Sequence, residues 1–134
     1  MNNVLDHSLP FEKYFEEICH IPHGSFNEQQ LSDRLVSFAK NLGLGYKQYE
    51  NGCVIIYKEG SPGYEDHDPV MLQGHMDMVC QKVPGCTHDF KKDPLDLYVE
   101  DGLIRARGTT LGADDGVGVA YMMAILASDA CRHP

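Results

Sequence analysis

Apolar residues in the first third of the chain recur at the spacing of two amphipathic helices. Between Leu9 and Ile21 they fall at offsets of three, four and seven residues, and Pro22 ends the pattern. A second stripe follows Ser25, which with Glu28 fits a capping box in which each residue bonds to the other's backbone. The apolar face of this second helix carries Leu31, Leu35, Phe38 and Leu42.

Four short segments with an alternating pattern predict two β-hairpins. The paired strands are 46–50 with 53–57, and 97–100 with 103–107. An Asn-Gly and an Asp-Gly dipeptide separate the strands of each pair, and both dipeptides favour tight hairpin turns. The segments 60–68 and 80–94 contain proline, glycine and polar residues, so both are predicted to be loops.

A further apolar run, Val70 to Leu72, predicts a short buried strand that breaks at Gly74. An extended backbone would project the next polar residues, His75 and Asp77, to one side. Imidazole can bind a divalent ion through one nitrogen while a carboxylate accepts the proton of the other nitrogen. His75 is therefore a candidate metal ligand with Asp77 as its orienting partner. The alternative is an ordinary histidine and aspartate at a solvated strand end.

Length and charge limit the class of protein. A chain of 134 residues is about one domain long, and its mixture of helices and strands predicts the α/β class, with a mixed sheet packed by helices. The formal net charge of −9 disfavours binding to nucleic acid or to an anionic membrane surface. No apolar run approaches the roughly 20 residues that span a bilayer.

The five cysteines contain no CxxC pair, and the chain does not begin with a basic and then apolar signal. This pattern predicts a reducing, cytoplasmic compartment. A structural zinc protein built on cysteines is disfavoured because finger spacing is missing.

A second polar cluster, Gly108 to Gly118, places four glycines around Asp114 and Asp115 ahead of an apolar helix at 119–127. The glycines permit a sharp backbone path, but no lysine is nearby and two carboxylates would repel a phosphate. Carboxylates at the mouth of a sheet suit a cation. The alternative is one aspartate capping the helix. His20, His23 and the pair His88-Asp89 are predicted to have structural roles, His23 as a partly exposed residue at a helix end.

The segment Gln73 to Lys82, followed by His88-Asp89-Phe90 and then Gly108 to Gly116, resembles the aminoacyl-histidine dipeptidases, a branch of the co-catalytic zinc peptidases. The likeness includes Ile21-Pro22-His23 and Ser25. It implies two zinc ions, with His75 as a ligand of one, Asp77 orienting His75, and Asp114 bridging both. It also implies a cis peptide bond after Asp114.

In enzymes of this family a glutamate takes a proton from the attacking water, and further carboxylate and histidine ligands follow. Only 20 residues follow Asp114 and none is a glutamate, while His133 does not match a ligand position. Residues 1–134 are therefore predicted to form the N-terminal part of a cytoplasmic metallopeptidase catalytic domain, inactive alone. The intact enzyme would hydrolyse unblocked dipeptides of the Xaa-His class. The resemblance leaves open whether the intact enzyme forms a homodimer. The alternative is a non-catalytic metal-binding or interaction module derived from a dipeptidase.

Overall fold

The computed structural model describes residues 3–134, and its elements confirm the predicted α/β class. The order along the chain is α1 (Pro10–Cys19), α2 (Gln29–Asn41), β1 (Gly45–Gln48), β2 (Val54–Tyr57), β3 (Leu97–Glu100), β4 (Leu103–Ala106) and α3 (Ala113–Ala127). Within residues 3–134, no helix is long and apolar enough to cross a membrane.

Helix α1 lies where the apolar pattern predicts it and ends two residues earlier, at Cys19. Pro10 occupies its first turn, where the missing N–H costs no helical hydrogen bond and the fixed φ angle suits a helix start. The helix packs against α3, and Phe15 and Ile18 close over Gly116 of that helix. A side chain at Gly116 would meet Phe15 at 3.4 Å, so the glycine lets the two helices approach closely.

The capping box predicted for α2 is wrong. The helix begins at Gln29, and no side chain caps its first turn. Glu28 Oε1 instead accepts a hydrogen bond from the N–H of Phe26, whose φ of 67° turns the chain away from a helical entry. The Ser25 hydroxyl bonds to a distant carboxylate, because a tertiary contact competes with the local cap. Leu42 was also placed wrongly, since it lies beyond the helix end and is exposed.

Both predicted hairpins are present, as two separate antiparallel pairs instead of one mixed sheet. In the β3–β4 turn Asp101 and Gly102 both have positive φ, at 51° and 74°, as the Asp-Gly dipeptide predicts. The β1–β2 connection is longer than a two-residue turn, because the last registered pair, Gln48 with Val54, leaves residues 49–53 between the strands.

The buried strand predicted at Val70 to Leu72 is wrong. Val70, Met71 and Leu72 are 61%, 86% and 50% exposed, and the segment belongs to no helix or strand. A strand needs partners for its backbone groups. Among residues 3–134, Val70 bonds through its N–H to Pro134 O at 2.8 Å, and no backbone N–H from 71 to 77 donates to a backbone carbonyl.

The hydrophobic core lies between the three helices and extends to the segments that carry the polar clusters. Met78 is 3% exposed and so anchors the chain directly after Asp77. The other buried members are Leu5, Phe15, Ile18, Cys19, Leu31, Leu35, Phe38, Leu95, Leu97, Val119, Ala120 and Met123.

Candidate functional site

Backbone contacts with two other segments fix the position of the chain around Asp77. Met78 donates its N–H to His23 O at 3.0 Å, and Ser25 donates its N–H to Met78 O at 3.3 Å, which forms a short parallel bridge. On the other side the Thr110 hydroxyl donates to Val79 O at 2.6 Å. These bonds bring residues 23–25 and the loop before α3 against the same stretch of chain.

His75 lies at the centre of the site. Its Nδ1 is 3.0 Å from Asp77 Oδ1, which is the hydrogen bond expected from the spacing of the two residues. Its Nε2 is 3.0 Å from Asp114 Oδ1, although the two residues lie 39 positions apart. The two polar clusters recognised in the sequence therefore meet at one imidazole, which is half exposed.

Asp77 is held from both sides, because the hydroxyl of Ser25 donates to its second oxygen, Oδ2, at 2.5 Å. The bond from Ser25, followed by those from His75, lowers the pKa of Asp77 against the opposing effect of burial. The carboxylate is thus kept ionised and oriented toward the imidazole. Sequence reasoning assigned Ser25 to a helix cap and missed this contact.

The pKa of His75 is raised, chiefly by its hydrogen bond with Asp114 and also by Asp77, while burial acts in the opposite direction. Both ring nitrogens therefore face oxygen atoms that favour a positive charge on the imidazole. A cation bound between His75 Nε2 and Asp114 would be stabilised by the same carboxylates and would compete with the proton for Nε2.

Asp114 points into solvent because the chain enters α3 with non-helical angles. Gly112 is left-handed with φ 72°, Asp114 has φ −95° and ψ 105°, and the bond between Asp114 and Asp115 is cis, as the family resemblance implies. The side chain of Asp114 is 96% exposed. Gly112, which precedes this element, offers no side-chain cap, and both Asp114 and Asp115 lie in its first turn.

Asp115 has the opposite orientation. Its carboxylate packs against Gly74 and Gly118, where a β-carbon would collide with it. The two neighbouring aspartates therefore differ in role: Asp114 faces outward beside His75, and Asp115 faces the backbone of the segment that carries His75.

The role predicted for His23, a partly exposed residue at a helix end, is wrong. The chain turns inward after α1 to form the bridge with Met78, which leaves His23 only 2% exposed. Its Nδ1 donates to Ile21 O at 2.6 Å, and its Nε2 has no hydrogen-bond partner among residues 3–134. Burial lowers the pKa of His23, so the ring is kept neutral. The signal in the sequence that sets His23 apart is that it belongs to Ile21-Pro22-His23, a part of the resemblance to the dipeptidase family.

The remaining histidine predictions concern loops. Lys82 Nζ donates to the backbone O of His88 at 2.7 Å, and Asp89 accepts the N–H of Lys91 at 3.0 Å, so both residues make contacts within their loop. Among residues 3–134, the side-chain Nε2 of His88 is buried without a hydrogen-bond partner. His133 lies against the rings of Tyr64 and His67 and has no hydrogen bond with the His75 cluster.

An imidazole nitrogen and a carboxylate oxygen are ligands that zinc accepts, and here they face each other in an accessible position. The geometry therefore fits part of a metal centre. It does not supply a whole one, because residues 3–134 contain no group of three or more His, Cys, Asp or Glu side chains placed to hold a metal.

No model of a protein family matches this chain. It is 43% identical over 124 residues to the cytosol non-specific dipeptidase of Escherichia coli, a match that covers 92% of this chain and 26% of that protein.

Two solved structures have a similar fold. The aminoacylhistidine dipeptidase of Vibrio alginolyticus superposes with a TM-score of 0.88 at 41% identity, covering 92% of this chain and 25% of that one. A tripeptidase from Staphylococcus aureus gives a TM-score of 0.68 at 25% identity, covering 92% and 32%. Over 92% of its length the chain thus corresponds, in sequence and in fold, to about a quarter of the cytosol non-specific and aminoacylhistidine dipeptidases.

Proposed function

We propose that this chain forms the N-terminal part of the catalytic domain of a zinc-dependent dipeptidase. The observation that carries the proposal is the 3.0 Å approach of His75 Nε2 to Asp114 Oδ1, with Asp77 bonded to the other ring nitrogen. The names of the similar proteins support peptide hydrolysis. The substrates of the intact protein would be unblocked dipeptides of the Xaa-His class, in the cytoplasm.

In this proposal each residue has a defined role. His75 would hold one zinc ion, and Asp114, whose side chain is 96% exposed, would be a ligand shared by two. Asp77 fixes the tautomer of His75 by accepting the proton of Nδ1, and Ser25 in turn fixes Asp77. When bound, the metal pair would lower the pKa of a water molecule and polarise the peptide carbonyl.

The chain alone is expected to have little or no activity. A general base for the water and the further metal ligands are required, and residues 3–134 bring no third metal-binding side chain to the site. Neither His88 nor His133 lies in the His75 cluster.

The test combines zinc binding with an activity assay on homogeneous protein. Isothermal titration should show weak zinc binding that His75→Ala and Asp114→Asn each abolish. His67→Ala is the matched control, because His67 is exposed and outside the cluster. Zinc binding that survives His75→Ala would refute the ligand assignment. Measurable hydrolysis of an Xaa-His dipeptide by the homogeneous chain would refute its inactivity.

Ser25 provides a finer test of the same arrangement. Loss of an outer hydrogen bond to a metal ligand's partner typically weakens metal binding about 10-fold to 100-fold. Ser25→Ala should therefore weaken zinc binding, and Ser25→Thr should restore it because the hydroxyl is kept. The Nδ1 proton resonance of His75 should shift in the alanine variant only, and an unchanged resonance would contradict the relay through Asp77.

A second candidate function is a non-catalytic metal-binding or interaction module. The exposed segment at 71–77 favours it, because among residues 3–134 its N–H groups bond to no backbone carbonyl and so could pair with another polypeptide. Metal content and mass in solution discriminate between the two. Stoichiometric zinc on the monomer, or a stable complex with a defined partner and no hydrolysis, would favour the module.

A further inference from the structure

Two buried imidazole nitrogens, from distant segments, have no hydrogen-bond partner within residues 3–134. They are the Nε2 of His23, a residue that is 2% exposed, and the Nε2 of His88 in the loop 80–94. Buried polar side-chain atoms of folded proteins nearly always have a partner, which is either a protein atom or an ordered water molecule. Two such atoms close to one cavity would therefore indicate a bound ligand.

Both histidines line the same small cavity, which lies between the chain after α1 and the loop 80–94. Its volume is about 10 Å³, close to the minimum of roughly 10–15 Å³ that one water molecule requires. Two other polar side chains on its walls, Cys19 and Asp93, already have partners. Cys19 Sγ donates to Leu111 O at 4.0 Å, and Asp93 Oδ2 accepts the N–H of Asp89 at 2.7 Å. The two imidazole nitrogens are thus the groups that a ligand of this cavity would satisfy.

The hydrogen bonding of His23 determines what its Nε2 requires. Its Nδ1 lies 2.6 Å from Ile21 O, and a carbonyl oxygen can only accept, so Nδ1 carries a proton. Burial lowers the pKa of His23, which keeps the ring neutral with that single proton. Nε2 therefore presents a lone pair and needs a donor. The ring of His88 is not that donor, because its Nε2 has no partner among residues 3–134.

Water suits this pair of atoms better than a metal ion does. A water molecule can both donate and accept, so it satisfies His23 Nε2 and also His88 Nε2 in either tautomer of His88. Two imidazoles could also bind zinc, but structural zinc sites are almost always four-coordinate. No third His, Cys, Asp or Glu within residues 3–134 is placed to complete such a group.

We propose that one water molecule is bound in this cavity and bridges the Nε2 atoms of His23 and His88. The water donates one hydrogen bond to His23 and makes a second with His88. Because His23 belongs to the core and His88 to the loop 80–94, the water holds this loop against the end of α1. The inference does not rest on the proposed function, since neither histidine is a proposed zinc ligand.

A crystal structure of the 134-residue chain, at a resolution that shows ordered water, tests the site directly. One density peak should lie about 2.7–3.2 Å from both Nε2 atoms. Anomalous data from a crystal soaked in zinc chloride should show no zinc in this cavity. A cavity without a density peak, a direct bond between the two rings, or a zinc ion in the cavity would each overturn the proposal.

Hydrogen exchange at the Leu95 amide measures the effect of the water in solution. This N–H donates to Cys19 O at 3.0 Å and so reports how often the loop leaves α1. His88→Phe keeps an aromatic ring but removes its nitrogens, so the water loses one of its two histidine partners. The Leu95 amide should then exchange about fivefold faster, as expected for the net loss of one hydrogen bond.

Two further variants make this measurement specific. His88→Gln should restore the original exchange rate, because the Nε2 of glutamine can replace that of histidine. His20→Phe is the matched control, since His20 follows α1 but does not line the cavity. Circular dichroism should show all three variants folded. An unchanged rate in His88→Phe, the same increase in His20→Phe, or no recovery in His88→Gln would refute the bridging water.

Discussion

Glu16 is a buried carboxylate that fastens the N-terminal segment to helix α1. It is 2% exposed and accepts three hydrogen bonds: from Val4 N–H at 2.8 Å, from Leu5 N–H at 3.1 Å and from His7 Nε2 at 2.7 Å. Leu5 is itself in the core, so its amide cannot turn to water when the acceptor is removed. Substitution of Glu16 should therefore lower the free energy of unfolding.

The magnitude follows from the groups left unpaired. A buried donor without a partner costs about 1–3 kcal/mol, and in Glu16→Ala this cost applies to the Leu5 amide. Val4 is 40% exposed, so water can replace the lost acceptor at its amide. The partly exposed pair with His7 adds about 0–1 kcal/mol. We expect a loss of about 2 kcal/mol for alanine and about half of that for Glu16→Gln, which keeps one acceptor oxygen. Glu12→Gln is the control, because Glu12 accepts one exposed amide, that of Asp6.

The assay is urea unfolding followed by circular dichroism, with unchanged m-values as the sign that only stability differs. A loss below about 0.5 kcal/mol in Glu16→Ala, the usual range for a surface substitution, would show that Glu16 does not stabilise the N-terminal segment on α1. The same loss in Glu12→Gln would refute it equally, because burial would then not be the cause.

Glu16 also predicts the pH dependence of stability. Burial alone would raise its pKa, but the bonds from Val4, Leu5 and His7 outweigh burial, and the folded pKa lies below the ordinary value of 4.5. The contribution is therefore present above that value and is lost as the pH falls through the folded pKa. Glu16→Gln should flatten the stability curve in this acidic range, and an unchanged slope would show that Glu16 is not responsible.

Two further predictions concern Cys19 and Gly112. Burial, with a smaller effect of the Glu16 charge, raises the pKa of Cys19 to about 12. A thiol reagent at pH 8 should therefore label the exposed Cys53 in the native protein and Cys19 only after unfolding. Equal labelling rates of the two cysteines in the native protein would contradict this. Gly112→Ala should lower the free energy of unfolding in urea by about 2–3 kcal/mol, and Gly43→Ala by about 1 kcal/mol. Both glycines have φ near 70°, but only a β-carbon at position 112 would meet Met78. Equal losses of stability in the two variants would contradict this contact.

Local patterns predicted most of the helices and hairpins because each depends on neighbouring residues. The Asp-Gly turn and the stripe of α1 need no distant partner to be recognised. The incorrect predictions for Ser25 and His23 both involve distant contacts. Ser25 fits a capping box, yet its hydroxyl bonds to Asp77, 52 positions away. His23 stands beside a helix end, yet the bridge with Met78 carries it into the interior.

The candidate site shows the same division. The spacing of His75 and Asp77 predicted their hydrogen bond, because one extended backbone determines it. The meeting of His75 with Asp114 required the family resemblance, since nothing local in either segment indicates the other. The apolar run at Val70 to Leu72 was predicted to be buried because apolar strands usually are, but burial needs flanking strands that residues 3–134 do not provide.

The exposed residues Val70 to Leu72 lead into the proposed metal site. Each ring nitrogen of His75 faces a carboxylate, Asp77 at Nδ1 and Asp114 at Nε2. The Ser25 hydroxyl donates to Asp77 in turn. Because all of these contacts are made within residues 3–134, the proposed ligand atoms of His75 and Asp114 are positioned before any further group joins the site.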